Sequence, residues 1–137
     1  MARLRGYENA IESAQYVMGL WNSVVVKEDT VWVLGDFVMC EWALQYVEML
    51  AGHIQLIRGN HDSQRVLDVL NKHPKIYVHG WVHQIGSLVL THEPVAQRVG
   101  LVNIHGHTHG RGVGDVGIWT WGRLITIQEV LRWATSC

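Results

Sequence analysis

The sequence predicts an α/β domain in which mixed β-sheets, forming a β-sandwich, are flanked by helices. In the first half, short β-branched apolar runs alternate with helical patterns, and in the second half short strand patterns follow one another around tight turns. The chain has 137 residues, of which 48% are hydrophobic. That length and composition suit a single domain with one sizeable core, so residues 1–137 are predicted to fold as one unit.

The first elements alternate between helix and strand. Apolar residues recur every three or four positions over residues 8–25, which predicts an amphipathic helix. Residues 30–34 form a β-branched apolar run that is typical of a buried strand. Residues 41–51 predict a second helix, and residues 54–57 predict a second strand.

The second half of the sequence predicts mostly strands. A third helix has its apolar face over residues 66–70 and ends before Pro74. Residues 76–82 and 87–91 then predict two strands that form a hairpin around residues 84–86.

The remaining patterns are shorter. Residues 101–104 predict a strand, and residues 116–119 and 124–125 are short strand candidates. Glycines over residues 110–117 predict a loop, and a capping box beginning at Thr126 predicts a last helix.

The charge balance argues against several classes of partner. Eleven Lys and Arg stand against 12 Asp and Glu, so the formal net charge is −1. Such a chain has no strong signal for nucleic acid or for an anionic membrane. No apolar run approaches the roughly 20 residues that span a bilayer, and residues 1–9 lack a secretory pattern. The expected location is therefore cytoplasmic.

Side chains that can bind a metal follow several of the predicted strands. In three places a strand pattern ends, a glycine follows, and a metal-competent residue comes next; a fourth, His92, lacks the glycine. Loops at the carboxyl ends of strands are where open α/β sheets place their sites. The residues of the three glycine-led segments are Asp36, Asn60, His61, Asp62, His107 and His109.

These blocks resemble, in order and spacing, four of the five motifs of the calcineurin-like metallophosphoesterases. The blocks are G-D at 35–36, G-N-H-D at 59–62, His92, and G-H-x-H at 106–109. The W-N pair at 21–22 also looks like the small prokaryotic and phage members, and the similarity covers nearly the whole chain. The resemblance implies a metallophosphoesterase-like fold and a hydrolase. The implied reaction is cleavage of phosphodiester or phosphomonoester bonds by a metal-activated hydroxide, with diesters favoured.

The resemblance also implies a set of metal ligands. Asp36 resembles the carboxylate that bridges two metals. Asn60, His92 and His107 look like the remaining ligands of one metal, and His109 looks like a ligand of the other. Imidazole and oxygen donors suit a divalent Mn, Fe, Zn or Ni ion.

Catalytic roles follow from the same resemblance. His61 is similar to the histidine that contacts the phosphoryl group and protonates the leaving oxygen, and Asn60 would also contact substrate. Asp62 either orients His61 or caps the third helix. Arg58 could steer phosphate or be structural, and a core position or a contact behind the ligands is the better interpretation of His105.

The chain departs from the family at its first motif, Asp-x-His on an N-terminal strand, because no Asp-x-His occurs in the sequence. One tight metal site and an incomplete second site are therefore expected. The alternatives are a degenerate, non-catalytic member that binds one metal or a phosphorylated ligand, and a shortened product of a longer enzyme. Without that strand, an exposed sheet edge would favour a homodimer. The segment before residue 8 or the strand near Val116 could instead close the gap within a monomer.

Overall fold

A computed structural model of the chain describes residues 10–38, 40–106, 118–120 and 123–125, the last two segments by their backbone alone. The described elements are, in chain order, α1 (Ala10–Val24), β1 (Thr30–Leu34), a 3-10 turn (Glu41–Ala43), α2 (Leu44–Val47), β2 (His53–Ile57), α3 (Gln64–Asn71), β3 (Ile76–Val78), β4 (Val82–Ile85), β5 (Leu88–Thr91), β6 (Val102–His105), β7 (Ile118–Thr120) and β8 (Arg123–Ile125).

The strands form two sheets. The larger has the order β3-β2-β1-β7-β8 and the smaller the order β4-β5-β6. β1, β2 and β3 are parallel to one another, and β7 pairs antiparallel with β1. In the smaller sheet β4 and β5 are antiparallel, whereas β6 is parallel to β5. The prediction of a mixed α/β fold is confirmed at this level.

The edge of β1 that faces away from β2 is covered within the chain. Val31 pairs with Thr120 and Trp32 pairs with Trp119 of β7. β1 is therefore an interior strand, paired with β2 along its whole length and with β7 at Val31 and Trp32. Of the two internal closures expected from the sequence, the structure uses the strand near Val116.

The main core lies between the helices and one face of the larger sheet. Alternate residues of a strand point to the same face, so Val31 and Val33 of β1 lie beside Ile54 and Leu56 of β2 on the helix side. Buried residues of α1 and α3 pack on this face, namely Ala14, Val17, Trp21, Val66, Leu67 and Leu70. Burying one such large apolar side chain contributes about 1.5–3 kcal/mol.

The second helix is shorter than the sequence predicts. Over the expected residues 41–51, only a 3-10 turn and the four residues of α2 are helical. The side-chain amide of Asn22 donates to the carbonyl of Met49 at 2.8 Å and accepts from the backbone N–H of Ala51 at 2.8 Å. The indole of Trp21 donates to the carbonyl of Ala51 at 2.9 Å. Of these groups, the N–H of Ala51 is the donor that a helix extending to residue 51 would use, and it bonds to Asn22 instead.

The single strand predicted over residues 76–82 is also corrected. It divides into β3, at the edge of the larger sheet, and β4, in the smaller sheet. The expected hairpin exists between β4 and β5, and Gly86 turns it with a φ of 57°. The glycine loop over residues 110–117 and the helix expected from Thr126 lie outside the described residues. None of the helices in the described segments has the length and apolar character needed to cross a membrane.

Candidate metal centre

Three predicted ligands follow the carboxyl ends of three strands. Asp36 follows β1, Asn60 follows β2, and His92 follows β5. β1 and β2 are parallel and in register through their last residues, so their loops leave the larger sheet side by side. The last residues of these two strands, Leu34 and Ile57, form a small buried cluster with Leu90 of β5. This cluster joins the two sheets at the site.

The donor atoms of these three side chains meet at one point. Nε2 of His92 lies 2.9 Å from Oδ1 of Asn60 and 3.2 Å from Oδ2 of Asp36. The three residues are separated by up to 56 positions in sequence, and the fold of both sheets is needed to bring them together. The structure thus assembles three of the side chains that the motifs single out.

The tautomer of His92 is set by the backbone. Its Nδ1 lies 2.7 Å from the carbonyl oxygen of Leu34, which can only accept, so Nδ1 has the proton. In the neutral ring Nε2 then presents a lone pair toward two oxygens. Burial opposes a charge on His92, but the hydrogen bonds with Asp36 and the Leu34 carbonyl, together with the charges of Asp36 and Asp62, outweigh burial and raise the pKa of His92. The centre therefore favours a cation among these three atoms.

Asp36 supplies the negative charge of the centre. Burial disfavours its ionisation, but hydrogen bonds with His92 and His61 prevail and hold the pKa of Asp36 far below its usual value. Its backbone has a φ of 51°, in the left-handed region that non-glycine residues rarely adopt. Strain of this kind concentrates at functional sites, where the surrounding structure enforces it.

His61 lies at the outer side of the centre. Its Nδ1 lies 3.0 Å from Oδ2 of Asp36, and its backbone N–H donates to Oδ1 of the same carboxylate at 2.9 Å. Since a carboxylate only accepts, the neutral ring has its proton on Nδ1 and leaves Nε2 as the second functional atom. The side chain is 54% exposed, so a bound molecule can reach it.

Asp62 fixes the backbone of both ligand loops. Its Oδ2 accepts from the N–H groups of Gly59 at 2.8 Å and Asp36 at 2.9 Å, and its Oδ1 accepts from Phe37 at 3.0 Å. Burial raises the pKa of Asp62 against the opposing effect of these bonds. Ser63, and not Asp62, caps α3. Asp62 thus contacts neither of the groups that the sequence suggested for it.

Two glycines let the ligand loops approach each other. Gly35 has a φ of 84°, and a Cβ placed there would lie 2.5 Å from Nδ1 of His92 and 2.7 Å from the Cα of Gly59. A Cβ at Gly59 would clash with the backbone nitrogen and Oδ1 of Asp36. The close approach expected of these motif glycines is therefore present at both positions.

The donor set fits a divalent transition metal. One carboxylate oxygen, one amide oxygen and one imidazole nitrogen converge, and the backbone bond to Nδ1 of His92 is a typical orienting contact behind a metal-bound histidine. In the described segments no three His, Cys, Asp or Glu side chains surround a common point, since the third donor here is the amide of Asn60. The predicted ligands His107 and His109 lie outside the described residues.

Two neighbouring residues have other contacts. Nη1 of Arg58 donates to Oε1 of Gln64 at 2.9 Å, and the guanidinium lies over the ring of Trp81. His105, the last residue of β6, is half-buried, with Nδ1 3.1 Å from the carbonyl oxygen of Gly106. The contact of Arg58 with Trp81, like those of Asp62, depends on tertiary structure, and no spacing in the sequence signals it.

Comparison with known proteins identifies two relatives. The chain is 27% identical over 155 aligned positions to the Gene 66 protein of Mycobacterium phage L5, covering 80% of this chain and 75% of that protein. It is 37% identical over 63 positions to an uncharacterized protein of Methanocaldococcus jannaschii, covering 43% of this chain and 36% of the archaeal protein. No family model matches the chain. No solved structure matches it either.

Proposed function

We propose that this protein is a metal-dependent phosphoesterase with a metallophosphoesterase-like sandwich, acting on phosphodiesters in preference to phosphomonoesters. The observation that supports the proposal best is the convergence of Asp36, Asn60 and His92 from three strand ends, with an oxygen of Asn60 and one of Asp36 both within 3.2 Å of Nε2 of His92. The motif spacing adds His107 and His109 as further ligands. Mn, Fe, Zn and Ni are the candidate ions.

The charge of the donor set suits phosphoester chemistry. Asp36 contributes one negative charge, whereas Asn60 and His92 are neutral donors. A divalent ion in such a set keeps much of its positive charge and supplies polarisation of a phosphoryl oxygen and of water. Asp36 remains ionised across the physiological range because its pKa is depressed, so the centre keeps its charge.

His61 is the proposed proton donor to the leaving oxygen. Asp36 holds Nδ1 of His61 at 3.0 Å and so fixes the orientation of the ring. When Nε2 is protonated, this exposed side chain can donate that proton to an ester oxygen. Asn60, an exposed residue next to His61, would contact the same phosphoryl group.

Metal content is the first test. Protein purified without chelator is expected to contain about one tightly bound divalent ion per chain by elemental analysis. His92→Ala should lose that ion, because the variant removes a converging donor. His53→Ala is the matched control, since His53 is an exposed histidine at the start of β2. Unchanged metal content in His92→Ala would contradict the assigned ligand set.

Turnover is the second test. The loaded protein should hydrolyse an activated aryl phosphodiester, and His61→Ala should lower kcat by about 10²–10⁴-fold while metal content is unchanged. Loss of metal in His61→Ala would make His61 a ligand. If neither diester nor monoester is hydrolysed with any of the candidate ions, the enzyme proposal fails.

A non-catalytic protein that binds one metal or a phosphorylated ligand is the second candidate. It requires only that Asp36, Asn60 and His92 bind an ion without hydrolysis of an ester. The exposed ring of His61 favours the enzyme, because a purely structural metal site does not need a solvent-facing histidine beside the carboxylate. The turnover experiment separates the two.

A further inference from the structure

An exposed tryptophan, Trp81, packs against Arg58, the residue that follows β2. Trp81 is 56% exposed, and the guanidinium carbon of Arg58 lies 4.9 Å from the centre of its ring. Arg58 is held in turn by Gln64, with Nη1 to Oε1 at 2.9 Å. Nε2 of Gln64 donates to Oδ1 of Asp68 at 2.8 Å. Three polar side chains in series therefore support one exposed indole.

The indole is next to the loop that bears Asn60. The backbone N–H of Arg58 donates to the carbonyl of Gly80 at 3.0 Å, so the segment before Trp81 runs alongside the end of β2. Asn60 and His61 come two and three residues after Arg58 in the same loop. Trp81 thus lies against the first residue of the loop that also holds Asn60 and His61.

This arrangement leaves part of the ring available. With the guanidinium over the ring, more than half of the surface of Trp81 is still exposed, so part of the indole is open to a ligand. Stacking of Arg on an indole restricts the side chain without blocking that part. Planar rings stack on such rigid aromatic side chains, which is how proteins bind bases without reading their edges.

Building on the proposed function, we propose that Trp81 braced by Arg58 is a stacking subsite for a planar aromatic ring attached to the substrate phosphate. The substrate class is a small nucleotide-like phosphoester. The phosphate would lie toward Asn60 and His61, and the ring would lie on Trp81. Trp81 would then select among phosphoesters by their organic group, and the chemistry would remain with the metal centre.

The test compares binding of AMP with that of ribose 5-phosphate, which has the same sugar phosphate without the base. Calorimetric titrations should show AMP binding about tenfold more tightly to the wild type. Trp81→Ala should remove this preference by weakening AMP and leaving ribose 5-phosphate unchanged, and Trp81→Phe should keep part of it. Tyr77→Ala is the matched control, because Tyr77 is an aromatic residue of β3 that is 59% exposed, close to the exposure of Trp81. Repeating the titrations in His61→Ala prevents turnover from consuming the ligand.

The outcomes separate this subsite from the hydrolytic function. Equal affinity for the two ligands in the wild type, or an equal loss for both in Trp81→Ala, overturns the stacking subsite. A base preference that depends on Trp81, in a protein that hydrolyses no ester, leaves the subsite standing and rejects the enzyme. If the protein hydrolyses aryl and alkyl diesters and Trp81→Ala leaves both rates unchanged, the enzyme proposal stands and the stacking subsite is rejected.

Discussion

The carboxylate of Asp62 binds backbone N–H groups at the start of both ligand loops. It accepts hydrogen bonds from Gly59, Asp36 and Phe37 through two carboxylate oxygens. A catalytic role for Asp62 remains a prediction of the motif. The contacts themselves indicate positioning, because the main chain of Asp36 and that of Gly59 are held by one side chain.

Asp62→Asn tests this positioning role. The amide places an N–H₂ group against a backbone N–H, so one buried donor loses its acceptor, at a cost of about 1–3 kcal/mol. Urea denaturation should show a lower midpoint with an unchanged slope. Glu28→Gln, the same kind of change at an exposed turn, should leave the midpoint unchanged. If the two variants behave alike, Asp62 does not stabilise the loops.

A cluster of three rings, Trp32, His79 and His83, links the two sheets. Trp32 of β1 lies 5.0 Å from the ring of His79 and 4.9 Å from that of His83 on β4, and the two histidine rings are 4.4 Å apart. Nε2 of His79 also lies 2.7 Å from Oε1 of Gln55, and Tyr77 packs on the other side. Burial, with the nearby His83, lowers the pKa of His79.

This lowered pKa predicts a pH-dependent stability. Below about pH 6.5, His79 binds a proton more readily in the unfolded chain than in the folded protein. The contribution of His79 to stability is therefore present above that pH and lost as the pH falls through the folded pKa. His79→Gln should lose less stability than the wild type between about pH 7 and about pH 5 in thermal unfolding. His53→Gln should follow the wild type, and parallel curves for His79→Gln and the wild type would refute the assignment.

The residue types of the centre could be predicted from the sequence, but several of their partners could not. Asp36, Asn60 and His92 stand out because each follows a strand pattern at motif spacing. The carbonyl of Leu34, which sets the tautomer of His92, has no sequence signal because any residue has a carbonyl. The role of Asp62 is hidden for the same reason, since its partners are backbone N–H groups.

At the scale of elements, the buried parallel strands were the easiest to predict. Both strands bury one face completely, and the apolar residues that recur at Val31, Val33, Ile54 and Leu56 are the pattern that predicts them. The division between β3 and β4 could not be predicted, because residues 76–82 form one uninterrupted strand pattern. The chain leaves the larger sheet only where the carbonyl of Gly80 pairs with Arg58, which is a tertiary contact.

The loops after β1 and β2 can approach each other because Gly35 and Gly59 have no Cβ. Gly59→Ala adds a Cβ against the backbone nitrogen and Oδ1 of Asp36, and overpacking of this kind costs about 1–3 kcal/mol. It should also lower metal content by displacing a ligand. Gly80→Ala is the control, because a Cβ there meets no atom within 4 Å. Equal stability and metal content in the two variants would contradict the close-approach explanation.

At the scale of the whole molecule, the pairing of β7 with β1 determines whether β1 presents a free edge for self-association. An uncovered β1 would have presented a row of free N–H and C=O groups and favoured a homodimer. With β7 on that edge, the main reason for self-association is removed, and the apolar residues on the helix side of β1 are already covered by the core.

We therefore predict that the chain is a monomer in solution. Light scattering at micromolar concentration should give a mass near 15.6 kDa, independent of dilution. The two edge strands of the larger sheet as described, β3 and β8, have three residues each, which is too short to template stable pairing. A two-fold dimer would contradict this prediction and would have to use other surfaces, such as the exposed Val82 and Val102 of the smaller sheet. Val102→Lys would then dissociate it, whereas the same variant should leave a monomer unchanged in mass.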